Sequence, residues 1–173
     1  MKLSLVILSI SLVYPVCFGQ ATNIDALFGI KLGQALPASC TNSDTLYRQP
    51  DEWGFQMAAR LVPPAPNSAF TNFTCYVKLT PTNRLVCEID IYEEGMDSTT
   101  YDGILGVLRH HYGPENSNMS GNVNGKEARV WLMNHRRLIL TYDPSDSTQK
   151  TFLMCQDDLL LSHPNHVTDT NGL

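Results

Sequence analysis

Cysteines are the residues of this chain with the widest chemistry, because a thiol can act as nucleophile, metal ligand or half of a disulfide. There are five. Cys17 lies in an apolar N-terminal stretch that reads as an export signal, which leaves Cys40, Cys75, Cys87 and Cys155. No two of these have the C-x-x-C spacing of a redox or zinc site. An even count in an exported chain reads as two structural disulfides, and spacing alone permits three connectivities. Strand alternation along 73–79 (FTCYVKL) and 85–91 (LVCEIDI) puts Cys75 and Cys87 on the core side of neighbouring strands. Either these two bridge each other and Cys40 meets Cys155, or the bridges follow chain order, Cys40–Cys75 and Cys87–Cys155.

Histidines come next. His110 and His111 are adjacent, so on a helix they point about 100° apart and do not share a metal. His163 and His166 bracket Pro164-Asn165 in a polar tail with no rigid support for a ligand set. His135 falls at a hairpin tip. No metal site and no cofactor are expected, since phosphate-loop, dinucleotide and EF-hand patterns are all missing. There is no G-x-S-x-G elbow for a hydrolase. Glu88 and Asp90 share a strand face, but it is the face opposite Ile89, so both are expected in solvent. Asp157 and Asp158, being adjacent, point to opposite sides of a strand. The sequons at Asn72 and Asn118 read as chance.

The densest charge lies at 90–97 (DIYEEGMD), which concentrates four carboxylates where a strand gives way to a helix. Tyr92, Glu93, Glu94 and Met96 form the candidate partner-binding set: an acidic rim with an apolar tip, suited to steering a basic protein partner. Asp97 and Asp102 are explained by the helix dipole alone.

The elements that must position these residues follow from patterning. Residues 1–19 have the three parts of a secretory signal: Lys2, an apolar run over 3–13, and a Cys17-Phe18-Gly19 cleavage site after Pro15. The run is too short for a membrane anchor. Val16 and Pro15 before Cys17 disfavour lipidation. Residues 22–161 then read as one domain, and 162–173 as a polar tail. Strands are expected at 27–33, 53–62, 73–79, 84–92, 128–133, 137–142 and 151–161, with 115–126 a loop. The Pro63-Pro64-Ala65-Pro66 run reads as a stiff loop. One helix is expected, capped by Thr99 with Asp102, carrying Tyr101, Ile104, Leu105, Leu108 and Tyr112 at helical spacing and stopped by Gly113-Pro114. Gly103 and Gly106 weaken it by about 1 kcal/mol each relative to Ala, which implies close packing on the sheet. The expected fold class is α+β: an antiparallel sheet of about five to seven strands with one main amphipathic helix on one face. Its core is expected to hold Phe73, Val77, Leu85, Ile89, Ile91, Ile104, Leu105, Leu108, Trp131, Leu138 and Leu140.

Three landmarks run through most of this domain: Phe28-Gly29-Ile30-Lys31-Leu32-Gly33, the helix end His111-Tyr112-Gly113-Pro114, and Trp131 followed by the 138–142 strand. Together they resemble a loose group of small exported bacterial proteins with an FGI-x-LG, YG-x-P and W layout. Here the proline directly follows Tyr112-Gly113, one place earlier than in that layout. The resemblance implies an α+β fold and bacterial export; it implies no activity and no catalytic residue.

Charge bounds the partners. The chain carries 12 Lys+Arg against 17 Asp+Glu, a net charge of −5, which argues against nucleic acid or an anionic membrane. No later apolar run reaches membrane-spanning length. The expectation is a periplasmic or secreted, non-enzymatic binding protein, such as an inhibitor, immunity-type protein or envelope accessory factor, with an unidentified protein partner. The alternative is a small envelope hydrolase, for which a concave site with histidine beside Ser, Asp or Glu would speak.

Overall fold

Alternating apolar residues build most of the strands of this chain, and one helical repeat covers them. A computed structural model describes residues 23–123, 126–143, 145 and 151–163. The signal at 1–19 and the tail beyond residue 163, with His166, lie outside the described residues. In chain order the strands are β1 (Ala26–Leu27), β2 (Ile30–Lys31), β3 (Leu46–Tyr47), β4 (Gln56–Ala59), β5 (Phe73–Leu79), β6 (Val86–Glu93), β7 (Gly121–Val123), β8 (Lys126–Met133), β9 (Arg136–Tyr142) and β10 (Thr151–Asp157). The helices are α1 (Ser98–Tyr112) and α2 (Asp158–Ser162).

β1 and β2 form a small separate hairpin, and the other strands form one antiparallel eight-stranded sheet in the order β3-β4-β5-β6-β10-β9-β8-β7. The α+β class holds; the strand number exceeds the expected five to seven. Edge strands β3 and β7 are only two and three residues long, too short to show alternation, so 115–126 read as loop. The first expected strand is instead a hairpin turning at Phe28-Gly29, both with positive φ (51° and 82°). The last expected strand stops at Asp157, whose carboxylate caps α2 by accepting from Leu159 N and Leu160 N, each at 3.1 Å.

Residues directly opposite one another share a sheet face. One face carries Cys75, Val77, Ile89, Ile91, Leu153, Cys155, Leu138, Leu140 and Trp131, and this face meets Tyr101, Ile104 and Leu105 of α1 in the main core. Tyr101 stacks on Tyr142 with centroids 4.7 Å apart. The buried Trp131 indole donates to Gly113 O at 2.9 Å, pinning the C-terminal end of the helix to β8.

Two helix expectations are corrected. The cap is Asp97, whose Oδ1 accepts from Thr100 N at 2.7 Å, rather than Thr99 with Asp102. A Cβ at Gly103 or Gly106 would meet nothing within 4 Å, so these glycines do not mark close approach to the sheet. A third correction concerns β6. The pairing slips between Lys78 and Leu79, so Val86 takes the core place opposite Leu79 and Leu85 is only half-buried. Cys87 is thereby turned into a second small cluster with Phe55 and Leu160.

Candidate functional site

The opposite face of the sheet carries a different set. Tyr76, Asp90, Met154, Ile139 and Val130 lie in one cross-strand row; Thr74, Tyr92, Phe152 and Thr141 lie in the next. Among the described residues neither α1 nor the β1–β2 hairpin lies on this side; the α2 cluster covers one end of it, and Val130 and Asp90 are buried there, at 5% and 8% exposure. Aromatic rings run across it. Tyr76 meets Tyr92 edge-on at 5.5 Å, and Tyr92 meets Phe152 at 4.7 Å. Tyr92 remains 42% exposed.

Within this face a cleft of about 370 Å³ is lined by Arg48, Met57, Thr74, Tyr76, Asp90, Tyr92 and Glu94. Asp90 is the unusual residue. It is only 8% exposed, and its Oδ1 is shut off from solvent with no hydrogen-bond partner. Burial, with Glu88 on the same strand adding to it, pushes the Asp90 carboxyl up to about 7, although Lys78 works against the shift. Lys78 is drawn away, with Nζ 3.6 Å from Asp51 Oδ2 and 4.8 Å from the Phe55 ring centroid. Arg48 Cζ sits 5.7 Å from the Tyr76 centroid, over the ring. Burial also raises the Tyr92 hydroxyl, with Asp90 second among the causes.

The four residues of the acidic turn divide. Tyr92 and Glu94 line the cleft. Glu93 and Met96 are 2% and 4% exposed, which corrects their expected place on an exposed rim. Glu93 points to the core side, where its carboxylate accepts from Asn72 N at 3.0 Å and 3.1 Å and from Thr71 Oγ1 at 3.4 Å. Met96 joins the main core. Asp90, expected in solvent, is buried instead, because Tyr76 and Met154 flank it from β5 and β10.

The cysteines divide as well. All four are buried thiols and none is bonded to another, which corrects the expected pair of disulfides. Cys75 sits opposite Ile91, so Cys87 is four residues further along β6, about 13 Å at strand rise and beyond disulfide reach. Cys87 and Cys155 belong to clusters on opposite sides of the sheet. Burial pushes the thiols of Cys75, Cys87 and Cys155 up to about 12 and raises that of Cys40, so none is a ready nucleophile.

A second concavity, of about 500 Å³, contains His135 Nε2 at 3.3 Å from Asp157 Oδ2. Asp157 is already committed to Arg136 Nε at 3.0 Å and to the α2 cap, and no serine, threonine or cysteine lines this space among the described residues. Ser162 Oγ and His163 Nδ1 meet at 2.9 Å, but as chain neighbours on an exposed helix end. No group of three or more His, Cys, Asp or Glu among the described residues is placed to hold a metal ion. No helix among them is long and apolar enough to cross a membrane. No family model matches the chain, and neither a curated protein nor a solved structure matches it.

Proposed function

We propose that the protein is an exported, non-enzymatic binding protein whose recognition surface is the uncovered sheet face around Asp90. One observation carries this reading. Of the deeply buried carboxylates, Glu93 and Asp157 are held by backbone and side-chain donors, while Asp90 keeps an unpartnered oxygen at the wall of a cleft. A fold gains nothing in stability from such a group, since an unpaired buried polar atom costs about 1–3 kcal/mol. The aromatic row beside it supplies rigid contact area of the kind enriched at interfaces. Export rests on the signal at 1–19, and a bacterial envelope location rests on the layout resemblance alone.

The hydrolase reading is weaker at this cleft. Among the described residues Asp90 and Glu94 are the carboxylates lining it, and no histidine stands beside them.

The test is capture from an envelope extract of the source organism with tagged mature protein. The pair Tyr92→Ala and Glu94→Lys is expected to abolish capture of a specific partner, while Val107→Ser, on the exposed side of α1, leaves it intact. Capture lost with Val107→Ser and kept by the cleft variant would move recognition to the helix side and contradict the reading.

A further inference from the structure

The cleft's own chemistry narrows what it takes. Its charge is negative on balance: Asp90 and Glu94 line it against Arg48, and Lys78 is turned toward Asp51. Tyr76 and Tyr92 stand nearly perpendicular, at 83°, and Arg48 already lies over the Tyr76 ring, so a cation entering the cleft meets Tyr92, the exposed ring of the two. Aromatic faces attract cations, most strongly where water is thinned out. Asp90 Oδ1 is enclosed, so a ligand in the cleft cannot grip both carboxyl oxygens. A guanidinium gains its advantage from a fork that grips both oxygens, whereas an ammonium is a compact point charge satisfied by one. The volume, about 370 Å³, lies at the low end of small-molecule sites and suits a single side chain.

We propose that this cleft receives the ammonium group of a lysine side chain on a protein partner, seated against Asp90 and Tyr92. The inference rests on the binding reading above and names the group recognised. Glu94 at the rim adds attraction before contact and offsets the repulsion from Arg48. Binding requires Asp90 in its charged form. The groups facing it are Glu88 and Tyr92 from β6 and Tyr76 and Lys78 from β5. Arg48 and Glu94 stand at the cleft, and β10 offers the uncharged Phe152, Met154 and Gln156.

The experiment is an amide-shift titration of the mature protein with three capped tripeptides, Gly-Lys-Gly, Gly-Arg-Gly and Gly-Nε-acetyl-Lys-Gly, at pH 8 and pH 5.5. At pH 8 the lysine peptide is expected to shift the amides around Tyr76, Asp90 and Tyr92 and to bind at least tenfold more tightly than the acetylated one. The arginine peptide falls between them. Asp90→Asn and Tyr92→Ala each weaken the lysine peptide at least tenfold, Val107→Ser leaves it unchanged, and lowering the pH to 5.5 weakens it by a similar factor. Equal binding of the lysine and acetyl-lysine peptides, or shifts confined to other surfaces, would overturn the inference. If the lysine peptide fails while Tyr92→Ala with Glu94→Lys still abolishes partner capture, the ammonium is wrong and the binding face stands. If both fail, the face falls too.

Discussion

Glu93 and Asp90 stand three residues apart on one strand, both carboxylates are buried, and their surroundings make opposite demands. Glu93 is a structural acceptor for Asn72 N and Thr71 Oγ1, so Glu93→Gln should lower unfolding free energy by about 1–3 kcal/mol. Asp90 carries a pKa raised to about 7 by burial. Between its ordinary value near 4 and about 7, the folded state holds a proton that the unfolded chain has lost. Its contribution is therefore fully present below about pH 4 and is lost as pH rises through about 7. Each tenfold difference in proton affinity between the folded and unfolded chain is worth about 1.4 kcal/mol, less what solvent screens. Asp90→Asn should accordingly raise stability at pH 8 and flatten the slope between pH 4 and 7, as denaturant titrations at several pH values would reveal. A variant less stable than the parent at pH 8 would mark Asp90 as a structural residue. The acidic turn at 90–97 pointed toward this region of the chain. Alternation already sets Glu93 on the face of Ile89 and Ile91 and Asp90 on the other; that Asp90 is buried was not legible, because its burial comes from Tyr76 and Met154, on strands paired only in the folded sheet.

At the scale of elements, periodicity was the reliable guide. The β5–β6 and β8–β9 hairpins and the long helix α1 lie where alternation and helical spacing place them, because each buries one face against the same core. The misses have local causes. Asp97, Ser98 and Thr99 compete to cap α1, and Asp97 wins by reaching Thr100 N. The slip between Lys78 and Leu79 is set by the following turn, where Thr80 Oγ1 accepts from Leu85 N at 2.9 Å. That turn shifts Leu85 to Cys87 relative to simple alternation and turns Cys87 off the core face, while the register, Cys75 opposite Ile91, keeps it out of reach of Cys75. Cys87 and Cys155 should thus resist alkylation in the native protein and react after unfolding without reductant, a result that intact mass would show. Helical spacing turns Gly103 and Gly106 away from the Tyr101, Ile104 and Leu105 face, and each has open space around it. Gly103→Ala should therefore raise stability by about 0.5–1 kcal/mol in thermal denaturation. A loss instead would mean that the helix needs the glycine for contact.

Across the whole molecule the two faces of the sheet have divided labour. One face, with α1 and the β1–β2 hairpin upon it, holds the main core and carries the stability of the fold. The other keeps Tyr92 and Leu132 at 42% and 43% exposure, sets an aromatic row beside an uncompensated carboxyl, and among the described residues has the α2 cluster over one end. Association with the proposed basic partner should fall with salt, given the acidic balance of the chain, −5. If Asp90 is kept ready for a cation, proton linkage at its carboxyl shows it. The carboxyl carbon of Asp90 can be followed by NMR through a pH titration, alone and with a saturating lysine tripeptide. A bound ammonium stabilises the carboxylate, so the midpoint should start near 7 and fall by at least one pH unit with the peptide. A midpoint near 4 in the free protein, or one that the peptide leaves unmoved, would contradict the account.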